Sequence, residues 1–351
     1  MTQPMPHAAP ATGGHPPQTS GLRRAAGVAL VLLALAAAMV GVGLGIGSTG
    51  LESLQSMLSD PAAQQIVWEI RLPRTLGAWA AGALLALAGA VAQGLFRNPL
   101  ADPYLLGSAS GASLGVALAL ALFGVSPMAT QWLVRLGLTG AAFVGAVLAV
   151  LLTLVLARGV QHTLRLLLSG VVVGVVLGAC SSLVMLMVPE VMQSMQAFLL
   201  GSTGFVGWSS CYLMLGLWAL CMLLSWAFSP VLDGLALGEA TAHSLGLPLA
   251  QMRLALIAVL ALATATAVAQ TGLIAFVGLA APHLVRSVVK VRHAPLVLIS
   301  SLMGGALLMA ADLLARWLLA PQELPVGVLT AVLGGGYLLW LMHRGQMGGR
   351  T

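Results

Sequence analysis

The chain has 351 residues, of which 59% are hydrophobic and 7% charged, against about 25% charged in an ordinary soluble domain. The net charge of +6 is dispersed among apolar runs, with no basic stripe interleaved with aromatics, so a nucleic-acid partner is excluded. What remains is an all-α polytopic membrane protein, because backbone groups in lipid must be satisfied within each helix.

In chain order, residues 1–22 are rich in Pro, Ala, Gly and Thr without an apolar period and read as a disordered cytoplasmic tail. His7 and His15 within it are too scattered to suggest a metal tract. Arg23-Arg24 then precedes the run 25–45, long enough to cross a bilayer and so read as a retained first helix. Further apolar runs lie near 75–95, 104–124, 134–157, 165–188, 207–228, 252–270, 273–289, 295–313 and 326–342, giving about ten transmembrane helices. Only Gln270-Thr271-Gly272 separates 252–270 from 273–289; the polar cluster His283, Arg286, Lys290 and Arg292 favours two helices over one. The membrane domain therefore covers 23–345, and 346–351 form a short C-terminal tail. Gly170, Gly174 and Gly178 recur every fourth residue, as do Gly111 and Gly115, a spacing that lets helices approach closely in lipid.

With the N-terminus inside, Arg23, Arg24, Arg97, Arg158, Arg165, Arg253, Arg286, Lys290, Arg292, Arg344 and Arg350 fall in the cytoplasm. Arg71, Arg74, Arg135 and Arg316 fall outside, so the positive-inside rule selects this orientation and places both termini in the cytoplasm. The longest cytoplasmic loop is 229–251. There Asp233-Gly234 and the run from Glu239 to Gly246 read as two short helices separated by glycine, in need of a surface to pack on.

No catalytic constellation is present. Lys290, the single lysine, follows Val289, so no phosphate-binding loop ending in Gly-Lys-Ser/Thr exists here. If ATP drives the protein, another polypeptide binds it. Cys180, Cys211 and Cys221 lie in apolar runs without CxxC or Cys/His spacing and read as packing residues; no metal ligand and no cofactor bound by this chain is expected. A proton-coupled secondary transporter is the alternative reading, but such carriers place acids in mid-membrane. Asp102, Glu190, Asp233, Glu239, Asp312 and Glu323 all map near helix ends or loops.

Between Arg71 and Gly115 the paired cations Arg71 and Arg74, held apart by Leu72-Pro73, precede a polar hairpin, Arg97-Asn98-Pro99-Leu100-Ala101-Asp102-Pro103. Further on come Arg165-Leu166-Leu167-Leu168-Ser169-Gly170, Phe198-Leu199-Leu200-Gly201-Ser202 and Gly272-Leu273-Ile274-Ala275-Phe276-Val277-Gly278. Ala281-Pro282-His283, Ala311-Asp312-Leu313-Leu314-Ala315-Arg316 and Glu323-Leu324-Pro325-Val326-Gly327 follow. In order and spacing, over roughly residues 65 to 345, these resemble the FecCD/BtuC-like family, the permeases of ABC importers for ferric siderophores, haem and cobalamin.

The resemblance implies a BtuC-like type II ABC importer permease in the bacterial inner membrane, a transport subunit without catalysis of its own. It implies a homodimer, two ATP-binding subunits in the cytoplasm and a substrate-binding protein on the outer face. By the same resemblance Arg71, Arg74 and Arg316 receive acidic residues of that binding protein; pairing with Glu69, Asp312 or Glu323 is the alternative for any one of them. Leu237, Gly238, Glu239, Ala240, Leu245 and Gly246 contact the ATPase. Asn98, Leu100, Thr163 and Leu164 form a cytoplasmic gate, Leu164 standing where relatives carry a small polar residue. Polarity within apolar runs makes Gln93, Ser169, Thr266 and Thr330 candidate pore-lining residues. The three chelates are not separated by anything in the sequence.

Overall fold

The computed structural model describes residues 18–47, 50–51, 60–123, 132–160, 163–244 and 248–348. The first half contains α1 (Gln18–Gly45), α2 (Pro61–Ile66), a π turn (Val67–Arg71) leading directly into α3 (Leu72–Phe96), α4 (Ser108–Phe123), α5 (Trp132–Leu156) and α6 (Thr163–Met187). The second contains α7 (Pro189–Leu200), α8 (Trp208–Ala227), α9 (Ser229–Ala236), α10 (Glu239–Ser244), α11 (Leu249–Thr271), α12 (Val277–Val288), α13 (His293–Trp317) and α14 (Val326–Gly348). After α1, the two-residue strands β1 (Ile46–Gly47) and β2 (Gly50–Leu51) pair antiparallel.

Each of the ten expected apolar runs is a helix, and among the described residues seven helices are long and apolar enough to cross a membrane. Three fall short, of which α14 counts only over Val326–Trp340; α4 and α12 are the informative ones. With 16 and 12 residues, α4 and α12 reach only about 24 and 18 Å, short of a hydrocarbon core about 30 Å thick. Both begin inside the bundle from non-helical segments. The break expected at Gly272 is there: its φ of +69° ends α11, and the Leu273 N–H donates to the Phe198 carbonyl at 3.0 Å.

Helix α3 is the axis of the molecule. It packs on α13, α11, α8 and α12, and from Ala78 to Phe96 almost every side chain is buried. Its Ala, Gly and Leu composition explains this, since small residues on all faces admit neighbours all round. Gly89 lies against the backbone of Gly278 in α12, and Gly82 against that of Gly304 in α13, approaches that a Cβ would block.

Of the polar hairpin expected at 97–103, Arg97, Pro99 and Leu100 are exposed as expected, but from Ala101 to Gly107 the chain folds back into the bundle. Pro103 packs on Gly278 beside Leu85, and Leu85 lies about 16 Å along α3 from its Phe96 end. The Tyr104 hydroxyl donates to the Ile274 carbonyl at 2.9 Å, and the Leu105 carbonyl lies against Gly170 of α6. This is why α4 begins at Ser108 and not at 104 as the apolar run suggests.

Helix α7, within what reads as an external connection, buries Val191 and Met195 with α4 and α11 side chains; its apolar stripe is too short to register as a span. Helix α1 starts at Gln18, inside the expected tail, and α14 runs to Gly348. Residues 1–17 and 349–351 of the two expected tails lie outside the described residues.

Candidate functional site

Polar side chains gather at the two ends of α3. At the Arg97 end, α9 opens with Ser229-Pro230, the proline at a first-turn position where no N–H is needed. It buries Val231, Leu232 and Leu235 in the core. The chain then turns at Gly238, whose φ of +108° an L side chain rarely adopts, and α10 begins with Glu239. Leu237, at the turn, is 69% exposed. The two short helices with glycine between them are thus as expected from the sequence.

Two arginines from different elements hold Glu239. Arg253 of α11 reaches its carboxylate at 2.7 Å and also donates to the Val160 carbonyl at 3.3 Å. Arg97 reaches it at 3.3 Å from the left-handed residue that ends α3. A second tie fastens α9: Asp233 accepts the His293 backbone N–H at 3.1 Å and pairs with its ring Nδ1 at 2.7 Å, at the start of α13. Leu237, Gly238 and Glu239 therefore sit together on one fixed projection. Leu245 and Gly246 lie outside the described residues, as does the side chain of Ala240. Arg97, Arg253, Asp233 and His293 were not legible as its anchors, because their partners are distant in sequence.

The gate candidates occupy the same end. The Asn98 side chain accepts the Leu100 N–H at 2.9 Å, closing a local turn that leaves Leu100 exposed. Thr163 sits with Phe96, Val160 and Arg253 around a small cavity, and Leu164 beside it is exposed.

Three of the four pore-lining candidates make internal contacts. Gln93, Thr266 and Thr330 are buried within the chain. Gln93 donates to the Leu279 carbonyl at 3.2 Å and accepts from Arg286, tying α12 to α3. The Thr266 and Thr330 hydroxyls donate to carbonyls of their own helices, those of Leu262 and Gly327, so neither needs water. Ser169 alone is half-buried at the surface of α6.

At the Arg74 end the expected arginines do come together, but around a carboxylate of this chain. Asp312 of α13, fully buried, pairs with Arg74 at 3.2 Å and with Arg316, and accepts the Thr203 hydroxyl. Arg74 also pairs with Glu323 at 2.9 Å, and Arg71 donates to the Leu44 carbonyl at 3.0 Å. Arg71, Arg74 and Arg316 are 7, 9 and 1% exposed. As placed, these side chains are engaged within this chain, Arg74 and Arg316 against Asp312 and Arg71 against the Leu44 carbonyl. The pairing alternative with Asp312 and Glu323 is the one the structure adopts. Thr203 was missed, since a hydroxyl after Gly201-Ser202 carries no signal of a partner more than a hundred residues away.

A bundle of crossing helices, with irregular segments packed inside it and a helix pair pinned at one end, is the architecture of a multi-pass membrane protein. The FecCD transport family profile matches residues 28–344, and the chain belongs to that family. It is 40% identical over 285 residues to the vitamin B12 import system permease protein BtuC of Escherichia coli O157:H7 (strain EC4115 / EHEC), covering 80% of this chain and 85% of that protein. It is 39% identical over 289 residues to the same-named protein of Shigella boydii serotype 18 (strain CDC 3083-94 / BS512), covering 82% and 86%. Among solved structures, an inward-facing transporter assigned to the metal-chelate ABC type superposes with a TM-score of 0.81 at 31% identity, over 90% of this chain and 99% of that one. PsaBC from Streptococcus pneumoniae shares the fold alone, with a TM-score of 0.53 at 18% identity, over 82% of this chain and 92% of that one. The protein is an ABC importer permease.

Proposed function

We propose that this chain is the membrane-spanning subunit of a binding-protein-dependent importer for a bulky metal chelate, with cobalamin favoured over ferric siderophores or haem. Two copies form the path in the bacterial inner membrane. ATP-binding subunits dock at the Arg97 end in the cytoplasm, and a substrate-binding protein docks at the Arg74 end. Both termini lie in the cytoplasm. Identity of 40% to a vitamin B12 import permease over 80% of the chain supports the cargo class.

The observation that carries the reading is the projection at α9–α10. An exposed leucine, Leu237, stands beside a carboxylate fixed by Arg97 and Arg253. A pinned helix pair with an apolar tip is built to transmit a push from a soluble partner into α3 and α11. Motion there reaches the gate candidates Asn98 and Leu100 directly, because Arg97 precedes them in the chain.

The test is uptake of cyanocobalamin into proteoliposomes holding the permease and its co-purified ATP-binding subunit, with the binding protein outside. Uptake that requires ATP, stops with vanadate and ignores a protonophore is expected. Uptake without ATP that a protonophore abolishes would overturn the reading in favour of a proton-coupled carrier.

A further inference from the structure

Irregular backbone at membrane depth is tolerated only where protein covers it or where it borders water. Residues 101–107 form such a segment, and protein covers most of it: Ala101, Pro103, Leu106 and Gly107 are buried. Asp102 faces elsewhere. With Tyr104, Ser110, Gly170, Gly174 and Val175 it lines an open groove of about 400 Å³ between the segment and α6. The α6 residues of that groove lie about 10–18 Å from Thr163 along the helix, close to the middle of a core about 30 Å thick.

One Asp102 oxygen accepts the Tyr104 N–H at 2.8 Å. Among the described residues no cation pairs with this carboxylate and its other oxygen has no partner. The neighbouring Tyr104 hydroxyl is already engaged with the Ile274 carbonyl. Asp312 shows the contrast, with two arginines and a threonine around it. A lone carboxylate facing hydrocarbon at this depth is costly, so the side on which the groove opens is wet or receives a hydrogen-bond donor. Val171 and Val175 beside it are exposed, so the opening lies on the outer surface of the chain.

We propose that this groove is part of the wall of the translocation path, and that Asp102 accepts hydrogen bonds from an amide-bearing edge of the cargo. The inference rests on the reading of the chain as a chelate permease and sharpens it. A carboxylate there favours a corrinoid rimmed by primary amides and repels a cargo rimmed by carboxylates, giving selectivity by an unfavourable contact.

Two arms test it in the assembled transporter. In a background with Cys180, Cys211 and Cys221 changed to Ser, Asp102→Cys and Val175→Cys should both react with a cationic, membrane-impermeant methanethiosulfonate. In the second arm, uptake rates of cyanocobalamin and of its monocarboxylate, with one amide hydrolysed, are compared. Asp102→Asn keeps a carbonyl for the Tyr104 N–H but turns an NH₂ to the groove. It should raise the relative rate of the monocarboxylate about tenfold, equivalent to about 1.4 kcal/mol. A structural role alone would slow both cargoes and leave their ratio unmoved. Inert cysteines at both positions, with Leu100→Cys labelled as a control, would overturn the wet groove. Reactive cysteines with an unchanged ratio would overturn the cargo contact. A wild-type complex that moves neither corrinoid overturns the cargo assignment, and the cysteine arm then still decides whether the groove is wet.

Discussion

Glu239→Gln keeps the shape of the side chain that pins α10 and removes its charge, and the two arginines it serves respond unequally. Arg97 and Glu239 are 43 and 38% exposed and 3.3 Å apart, so solvent screens that pair to about 0.2–1 kcal/mol. Arg253 is only 6% exposed and 2.7 Å from the same carboxylate. A hydrogen bond to a charged group is worth about 1.5–3 kcal/mol, and the partial exposure of Glu239 favours the lower half of that range. Loosening α10 should therefore cost about 2 kcal/mol for Glu239→Gln and less than about 1 kcal/mol for Arg97→Gln.

If the ATP-binding subunit docks on this projection, those costs appear in its affinity. At 1.4 kcal/mol per decade they become roughly 30-fold and under about fivefold increases in Kd. Titration of the ATP-binding subunit onto the permease in nanodiscs measures both. A double-mutant cycle should return a larger coupling for Arg253 with Glu239 than for Arg97 with Glu239. Wild-type affinity and wild-type ATP-driven uptake in Glu239→Gln would refute the reasoning. So would an Arg97→Gln defect larger than that of Glu239→Gln, because it would give the exposed pair the greater weight.

Other perturbations bear on the remaining features. Asp312→Asn leaves Arg74 and Arg316 buried without a carboxylate between them, a change expected to cost about 3–5 kcal/mol; the thermal unfolding midpoint in detergent should fall sharply, and an unchanged midpoint would show the cluster to be dispensable. Arg316→Ala should likewise lower the midpoint at any ionic strength; a normal midpoint with salt-dependent loss of binding-protein-stimulated ATP hydrolysis would restore the docking role instead. Gly278→Ala forces a methyl into Pro103 and Leu85, so expression and assembly should fall, whereas Gly137→Ala, which meets nothing nearby, should be silent. Reporter fusions after Gly234 and Asp102 should report the cytoplasm, and those after Glu190 and Gln322 the outside; an outside signal at Gly234 would remove α9–α10 as a site for an ATPase.

What the sequence reveals follows from which physical signal each feature leaves. A crossing helix needs a run of apolar residues long enough to span, and that signal is local, so all ten runs were legible along with the break at Gly272. The α9–α10 pair was legible for the same kind of reason, because the left-handed turn at Gly238 needs its glycine. Burial was not legible. Helices α3 and α11 are apolar on every face, so no stripe tells the core side from the lipid side, and Gln93, Thr266 and Thr330 looked like water-facing residues. Each instead satisfies its polar group internally, through the Leu279, Leu262 and Gly327 carbonyls.

The second half of the hairpin 97–103 misleads in the opposite direction, since Asp and Pro ordinarily mark a surface turn. Here the chain from Ala101 to Gly107 enters the bundle, because Gly170 and Gly278 on two surrounding helices leave room for Leu105 and Pro103. Gly170, in the every-fourth-residue series, reads as a site of helix–helix approach. At Gly170 and Gly278 the nearer neighbour is the irregular chain itself, in Leu105 and Pro103. In a chain this apolar, polarity no longer marks the outside, and the space left by missing side chains marks where the backbone can go. That space is what carries Asp102 to membrane depth, where a carboxylate without a cation has to meet either water or cargo.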